Sequence, residues 1–116
     1  MKQRELPLLQ RIEGPAIVPP ELLASAKTYR QAVRLCWSLR RAKGLTVTDL
    51  ARDYGFTRQH ASDYLNTDDR PTRRSLPAEA ISTFEEVCGN CAITQWLAQR
   101  LGLTVLEELQ AQRNAA

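Results

Sequence analysis

Residues 45–66, LTVTDLARDYGFTRQHASDYLN, constrain the fold more than any other stretch of this chain. Their spacing predicts two short helices joined by a tight turn at Gly55. Thr46 is a natural N-cap, and Asp49 three residues later completes a near capping box. Leu50, Ala51 and Tyr54 then recur at helical spacing. Ala51 is small where the two helices must cross closely. Gly55 falls where the first helix stops and the backbone turns left-handed, a conformation glycine adopts without strain. Phe56 is expected to plug the turn from the core side. Thr57 is expected to cap a second helix through about Asn66, with Ala61, Tyr64 and Leu65 pointing inward. This is the layout of a helix-turn-helix, whose second helix enters a DNA groove.

The flanks carry the same pattern. SLRRAKGLTVTDLARDYGFT resembles the helix 1 to helix 3 region of the lambda-repressor-like (Cro/CI or xenobiotic-response-element) DNA-binding proteins, whose common form reads LRxxxGLTQxELAxxxGxS. Leu39-Arg40, Gly44-Leu45-Thr46, Leu50-Ala51 and Gly55 match it directly. Val47 departs from it, standing where many relatives place a glutamine on the DNA backbone, so that contact is not carried over. Downstream, SDYLN followed by LPAEAISTFEEVCGNCAITQWLA is similar to a subgroup of small regulators encoded in phages and mobile elements. The likeness spans about residues 25–110. It implies a compact all-α DNA-binding domain of five to six helices.

Charge distribution points the same way. The chain of 116 residues carries a net charge of +3, unevenly placed. Residues 1–23 are neutral, residues 24–78 carry eleven basic and five acidic groups, and residues 79–116 are net acidic. Between Ala24 and Thr48 stand Lys27, Arg30, Arg34, Arg40, Arg41 and Lys43 with no acid among them. A basic face attracts phosphates and releases their counterions on binding. The plainer reading of such a run is a solvated helix face, and its overlap with the motif favours nucleic acid. Apolar runs are only a few residues long, which predicts neither a membrane span nor a secretory leader and makes the cytoplasm the expected compartment. Three cysteines are too few, and odd in number, for a secreted disulfide framework.

Residues 1–20, holding Pro7, Pro15, Pro19 and Pro20, read as an extended arm or a partly ordered leader. Leu6, Leu8, Leu9, Ile12, Ile17 and Val18 make it apolar enough to pack on the body or on a second subunit. Residues 21–110 form the predicted domain and 111–116 a tail. The first helix is expected to begin between Glu21 and Ser25 and to run to about Ala42, ended by Gly44. Its inward stripe is Ala32, Val33, Cys36 and Leu39, with Tyr29 or Trp37 at the margin. Thr67–Ser75 is a polar loop. A fourth helix starts near Pro77 and buries Ile81, Phe84, Val87 and Cys88. Gly89-Asn90 leads into a fifth with Ile93, Trp96, Leu97 and Leu101 at helical spacing, broken by Gly102. Thr104 is expected to cap a short last helix, VLEELQAQ. With no alternating strand pattern, the fold class is all-α.

The first turn of the second motif helix would point into the major groove. Arg58 and Gln59 are the best base-reading candidates, since arginine matches guanine N7 and O6 and glutamine pairs with adenine. Asp63, one turn beyond Gln59, has two readings: a base contact accepting from cytosine or adenine amino groups, or a carboxylate orienting Arg58 or capping a neighbour. Thr57, His60, Ser62, Asn66, Arg70, Arg73 and Arg74 are the candidates for phosphate or sugar. Arg40, Arg41 and Lys43 rank lower.

Cys88-Gly89-Asn90-Cys91 invites a redox or zinc reading. A structural zinc site needs four ligands, and only Cys36 and His60 remain, so buried structural cysteines are the better reading. No metal or cofactor is expected. Neither a phosphate loop, a nucleophile elbow nor a histidine-based constellation is present, and Asp68-Asp69 fit turn formation better than metal binding. The chain thus reads as a non-enzymatic regulator, a repressor acting as a homodimer on a double-stranded DNA operator. The dimer surface is expected after Gly89, including Trp96 and the last helix, with the arm as a swapped clasp. The rival reading is an interaction adaptor, such as an antitoxin or antirepressor, that holds a protein partner through the N-terminal arm or the C-terminal helix.

Overall fold

A computed structural model describes residues 14–102 and 105–115, the latter by backbone alone over 105–108. Among them are seven α-helices and no strand: α1 (Pro20–Leu23), α2 (Tyr29–Ser38), α3 (Val47–Asp53), α4 (Arg58–Leu65), α5 (Ile81–Cys88), α6 (Ala92–Leu101) and α7 (Val105–Ala115), with a 3₁₀ turn, Ala78–Ala80, leading into α5. The all-α expectation holds, with more helices than the five or six expected. No described helix is long and apolar enough to cross a membrane.

The expected long first helix is broken in two. Thr28 begins α2 afresh: its side chain accepts from the Gln31 amide at 3.2 Å, while the Gln31 side chain accepts from Lys27 N–H at 2.6 Å. Gly44 does not end α2, which stops at Ser38. Past that point the backbone is taken by other partners. The Arg41 amide donates to Cys88 O at 2.7 Å, and the Arg40 guanidinium gathers the carbonyls of Trp37, Lys43 and Leu45. Apolar periodicity carries no sign of the bond from Arg41 to Cys88.

The core joins α2, α3, α4, α5 and α6. Ala32, Val33, Cys36, Leu50, Ala61, Phe84, Cys88 and Ile93 are sealed from solvent. Phe84 is its aromatic centre, stacked on Trp37 with ring centroids 6.1 Å apart and met edge-on by Phe56 at the same distance. Trp96 is buried rather than exposed for dimerisation, because its indole N–H donates to Ala26 O at 2.9 Å. Leu101, expected on the apolar stripe of α6, is instead 80% exposed.

Residues 14–18 pack on the body. Ala16 bonds to both sides of the α5–α6 junction, donating to Gly89 O and accepting from the Cys91 amide, each at 2.9 Å. Gln95 clamps the same segment, accepting from Val18 N–H at 2.8 Å and donating to Val18 O at 2.9 Å. At that junction Gly89 has φ +82°, and a Cβ there would come within 3.1 Å of the Arg41 side chain. Leu6, Leu8, Leu9, Ile12 and the Thr104 cap lie outside the described residues. The predicted tail is helical through Ala115, since α7 runs on past the short helix expected.

Candidate nucleic-acid interface

Helices α3 and α4 form the expected pair. Thr46 accepts from the Asp49 amide at 3.2 Å and Asp49 accepts from the Thr46 amide at 2.9 Å, a full capping box. Those bonds to Thr46 hold the Asp49 carboxyl below its usual range. The helix ends at Asp53, Gly55 turns the chain at φ +80°, and the Phe56 amide reaches back to Leu50 O at 3.3 Å. Tyr54 departs from the expectation: it is 45% exposed rather than inward. Thr57 occupies the N-cap of α4, but its hydroxyl makes no capping bond.

Inward residues of α4 are Ala61 and Tyr64, with Leu65 half-buried. Thr57, Arg58, Gln59 and Ser62 are exposed. Among the described residues, the side chains of Arg58 and Gln59 have no hydrogen-bond or ion-pair partner. His60 is half-buried and lines a shallow cleft of about 330 Å³ with Tyr54, Tyr64 and Thr83.

Asp63 is buried, unlike Arg58 and Gln59. Helical spacing sets it beside Gln59, but the loop after α4 reaches back to it, leaving Asp63 only 7% exposed. Arg73 Nη1 stands 3.1 Å from Asp63 Oδ1 and Arg74 Nε 3.8 Å from Oδ2. Of the two readings of Asp63, its burial and its pairing favour the carboxylate that orients neighbours over the base contact. The carboxylate serves the loop arginines, not Arg58.

The same loop alters the backbone candidates. Asn66 turns inward: its carbonyl accepts from Arg30 and Arg34, and its side chain accepts from the Asp68 amide at 2.8 Å. Arg30 also donates to the carbonyls of Asp63 and Arg74. With Arg34 it holds Asp69 at 2.8 and 3.0 Å, which lowers the Asp69 carboxyl to about 2. Arg70 pairs with Asp68 and pulls that carboxyl below its usual range. Arg73 reaches Asp68 as well, at 3.5 Å. Arg52 pairs with Asp49 and Asp53.

All five acids of residues 24–78 are thus joined to arginines. Among the described residues, the cations of this stretch left without a carboxylate are Lys27, Arg40, Arg41, Lys43 and Arg58. Of these, Arg40, Arg41 and Lys43 bond to backbone carbonyls. Sequence spacing gives no sign of the Arg30 and Arg34 pairs with Asp69, which lie in separate segments joined only by folding, or of the reach of Arg73 back to Asp63. The run of Asp68, Asp69, Arg70, Arg73 and Arg74 was the one signal available.

The three cysteines are buried, Cys91 at the start of α6. A hydrogen bond to the Cys88 thiol, with burial, pushes the Cys36 thiol well up. No group of metal-binding side chains occurs among the described residues. Glu85, unmarked by the sequence reading, is buried and accepts from the Thr94 amide and hydroxyl, each at 2.7 Å. Its burial raises its carboxyl.

Comparison with protein-family profiles, curated proteins and solved structures gave no significant match.

Proposed function

We propose that the protein is a sequence-specific double-stranded DNA-binding regulator of transcription, a repressor with a lambda-repressor-like arrangement of α2, α3 and α4. One observation carries this reading: Arg58 and Gln59 stand exposed, and unpartnered among the described residues, on the first turn of α4, directly after the left-handed turn at Gly55. These two side chains are suited to base edges in the major groove. Thr57 and Ser62 flank them and suit phosphate or sugar. A single short helix covers few base pairs, so two copies on an inverted repeat supply affinity and spacing.

Alanine substitution tests it. Arg58→Ala or Gln59→Ala should lower discrimination between operator and random DNA by about 1–3 kcal/mol. Equal discrimination by wild type and both variants would remove α4 from base reading.

A second reading rests on the C-terminal helices. Leu101 and Leu109 are 80% and 51% exposed, which favours a protein contact through the end of α6 and α7. The occupant is a second copy in the repressor reading and a different protein in the adaptor reading. A salt-sensitive gel shift on the gene's own upstream region separates the two.

A further inference from the structure

Residues 63–75, the end of α4 and the loop after it, contain three aspartates and three arginines. Each of these acids is held by arginine. Arg73 lies between two of them, 3.1 Å from Asp63 and 3.5 Å from Asp68, with its side chain only 25% exposed. Arg70 is bound to Asp68, and Arg74 lies 3.8 Å from Asp63. Asp69 draws its two arginines from α2 instead.

We propose that Asp63 and Asp68 hold Arg73 away from the DNA backbone, so that this loop suppresses sequence-independent binding and leaves recognition to Arg58 and Gln59. The inference rests on the DNA-binding reading above and assigns its specificity-determining positioning residues. An arginine raises affinity for any DNA by neutralising a phosphate and releasing its counterion. An arginine already neutralised by a protein carboxylate must first leave that partner. The carboxylate then stands unpaired beside phosphates that repel it. The exchange yields little net attraction, so the loop adds little to binding on random sequence. Specificity is a difference of affinities. Restraining the random-sequence term widens that difference as surely as improving the operator contacts.

The test uses full-length protein and a random-sequence DNA duplex, with affinity followed against salt by fluorescence anisotropy. Asp63→Asn keeps the side-chain shape and removes the charge. Asp68→Asn does the same at a position with more solvent around it and carries the test if the buried variant fails to fold by circular dichroism. Each variant should bind the random duplex several-fold more tightly at low salt. The slope of log affinity against log salt should steepen by about 0.9 for each arginine released. Adding Arg73→Gln to Asp63→Asn should return the slope toward the wild-type value, which a merely structural role for Asp63 would not do. Folded variants with the wild-type slope overturn the inference alone. A wild-type protein that binds no duplex at low salt overturns the DNA-binding reading, and the inference falls with it.

Discussion

Arg73 Nη1 lies 3.1 Å from the Oδ1 atom of Asp63, a carboxylate near the C-terminal end of α4 whose side chain is only 10% exposed. This pair ties the loop to the helix that would read DNA. Arg73→Ala should leave Asp63 with the more distant Arg74 as its only cation. Loss of a charged hydrogen bond at a nearly buried group costs about 1–3 kcal/mol. Urea unfolding should show that loss, while the salt slope for DNA stays at its wild-type value. Unchanged stability with a flattened slope would instead mean that Arg73 contacts phosphate.

Asp69 makes the loop's other anchor sensitive to acid. Its folded-state carboxyl is lowered to about 2 by hydrogen bonds from Arg34 and Arg30, against 3.8 ordinarily. A depressed carboxyl contributes stability that is complete above the unfolded value and fades as pH falls toward the folded one. The urea midpoint of wild type should therefore exceed that of Asp69→Asn at neutral pH, and the gap should close between about pH 4 and pH 2. A gap constant over that range would mean that the arginines do not hold the ionised form.

At the alkaline end, Tyr29 is the sensitive group. Its hydroxyl donates to Leu76 O at 2.7 Å, and burial raises its phenol to about 12. A raised folded value means that the neutral phenol's stabilising effect is complete below the ordinary 10.0 and is lost as pH rises toward 12. Phenolate absorbance should show a late-titrating tyrosine that Tyr29→Phe removes. An ordinary titration of every tyrosine would contradict the buried bond.

Gln95 should govern access to Cys91. Its side-chain amide holds Val18 by two hydrogen bonds, and the Cys91 thiol beneath that segment donates to Pro15 O at 3.5 Å. Gln95→Ala removes both bonds to Val18, each worth about 1 kcal/mol. Local opening should become more frequent. Alkylation of Cys91, followed by mass spectrometry, should accelerate while Cys36 stays protected. Equal rates in the two proteins would show that residues 14–18 do not guard the thiol.

Local signals in the sequence were readable where the chain's own neighbours decide the structure. Thr46, Asp49 and Gly55 act within a few residues of themselves, so α3 and its turn follow from spacing. Arg58 and Gln59 follow from their place on the next helix. Asp63 was misleading because helical spacing places it correctly on α4 but is silent about the loop that covers it. Arg73 lies ten residues beyond Asp63, and Arg30 reaches the carbonyls of both Asp63 and Asn66 across more than thirty. The break before Tyr29 has a legible capping residue in Thr28, outweighed in the sequence by the apolar periodicity on either side. The stop at Ser38 has no such local mark, since Arg41 is drawn away by the carbonyl of Cys88. Charge followed the same rule. A net excess of basic residues is visible in composition, but which arginines remain unpaired is set by folding.

Selection of bound duplexes from a random DNA pool reads base recognition by α4 without a prior choice of operator. Wild type should enrich an inverted repeat whose half-sites lie about one helical turn, or a multiple of it, apart, and Arg58→Ala and Gln59→Ala should lose that enrichment at defined positions within each half-site. Recovery of no shared sequence by a folded wild-type protein would contradict base recognition by α4.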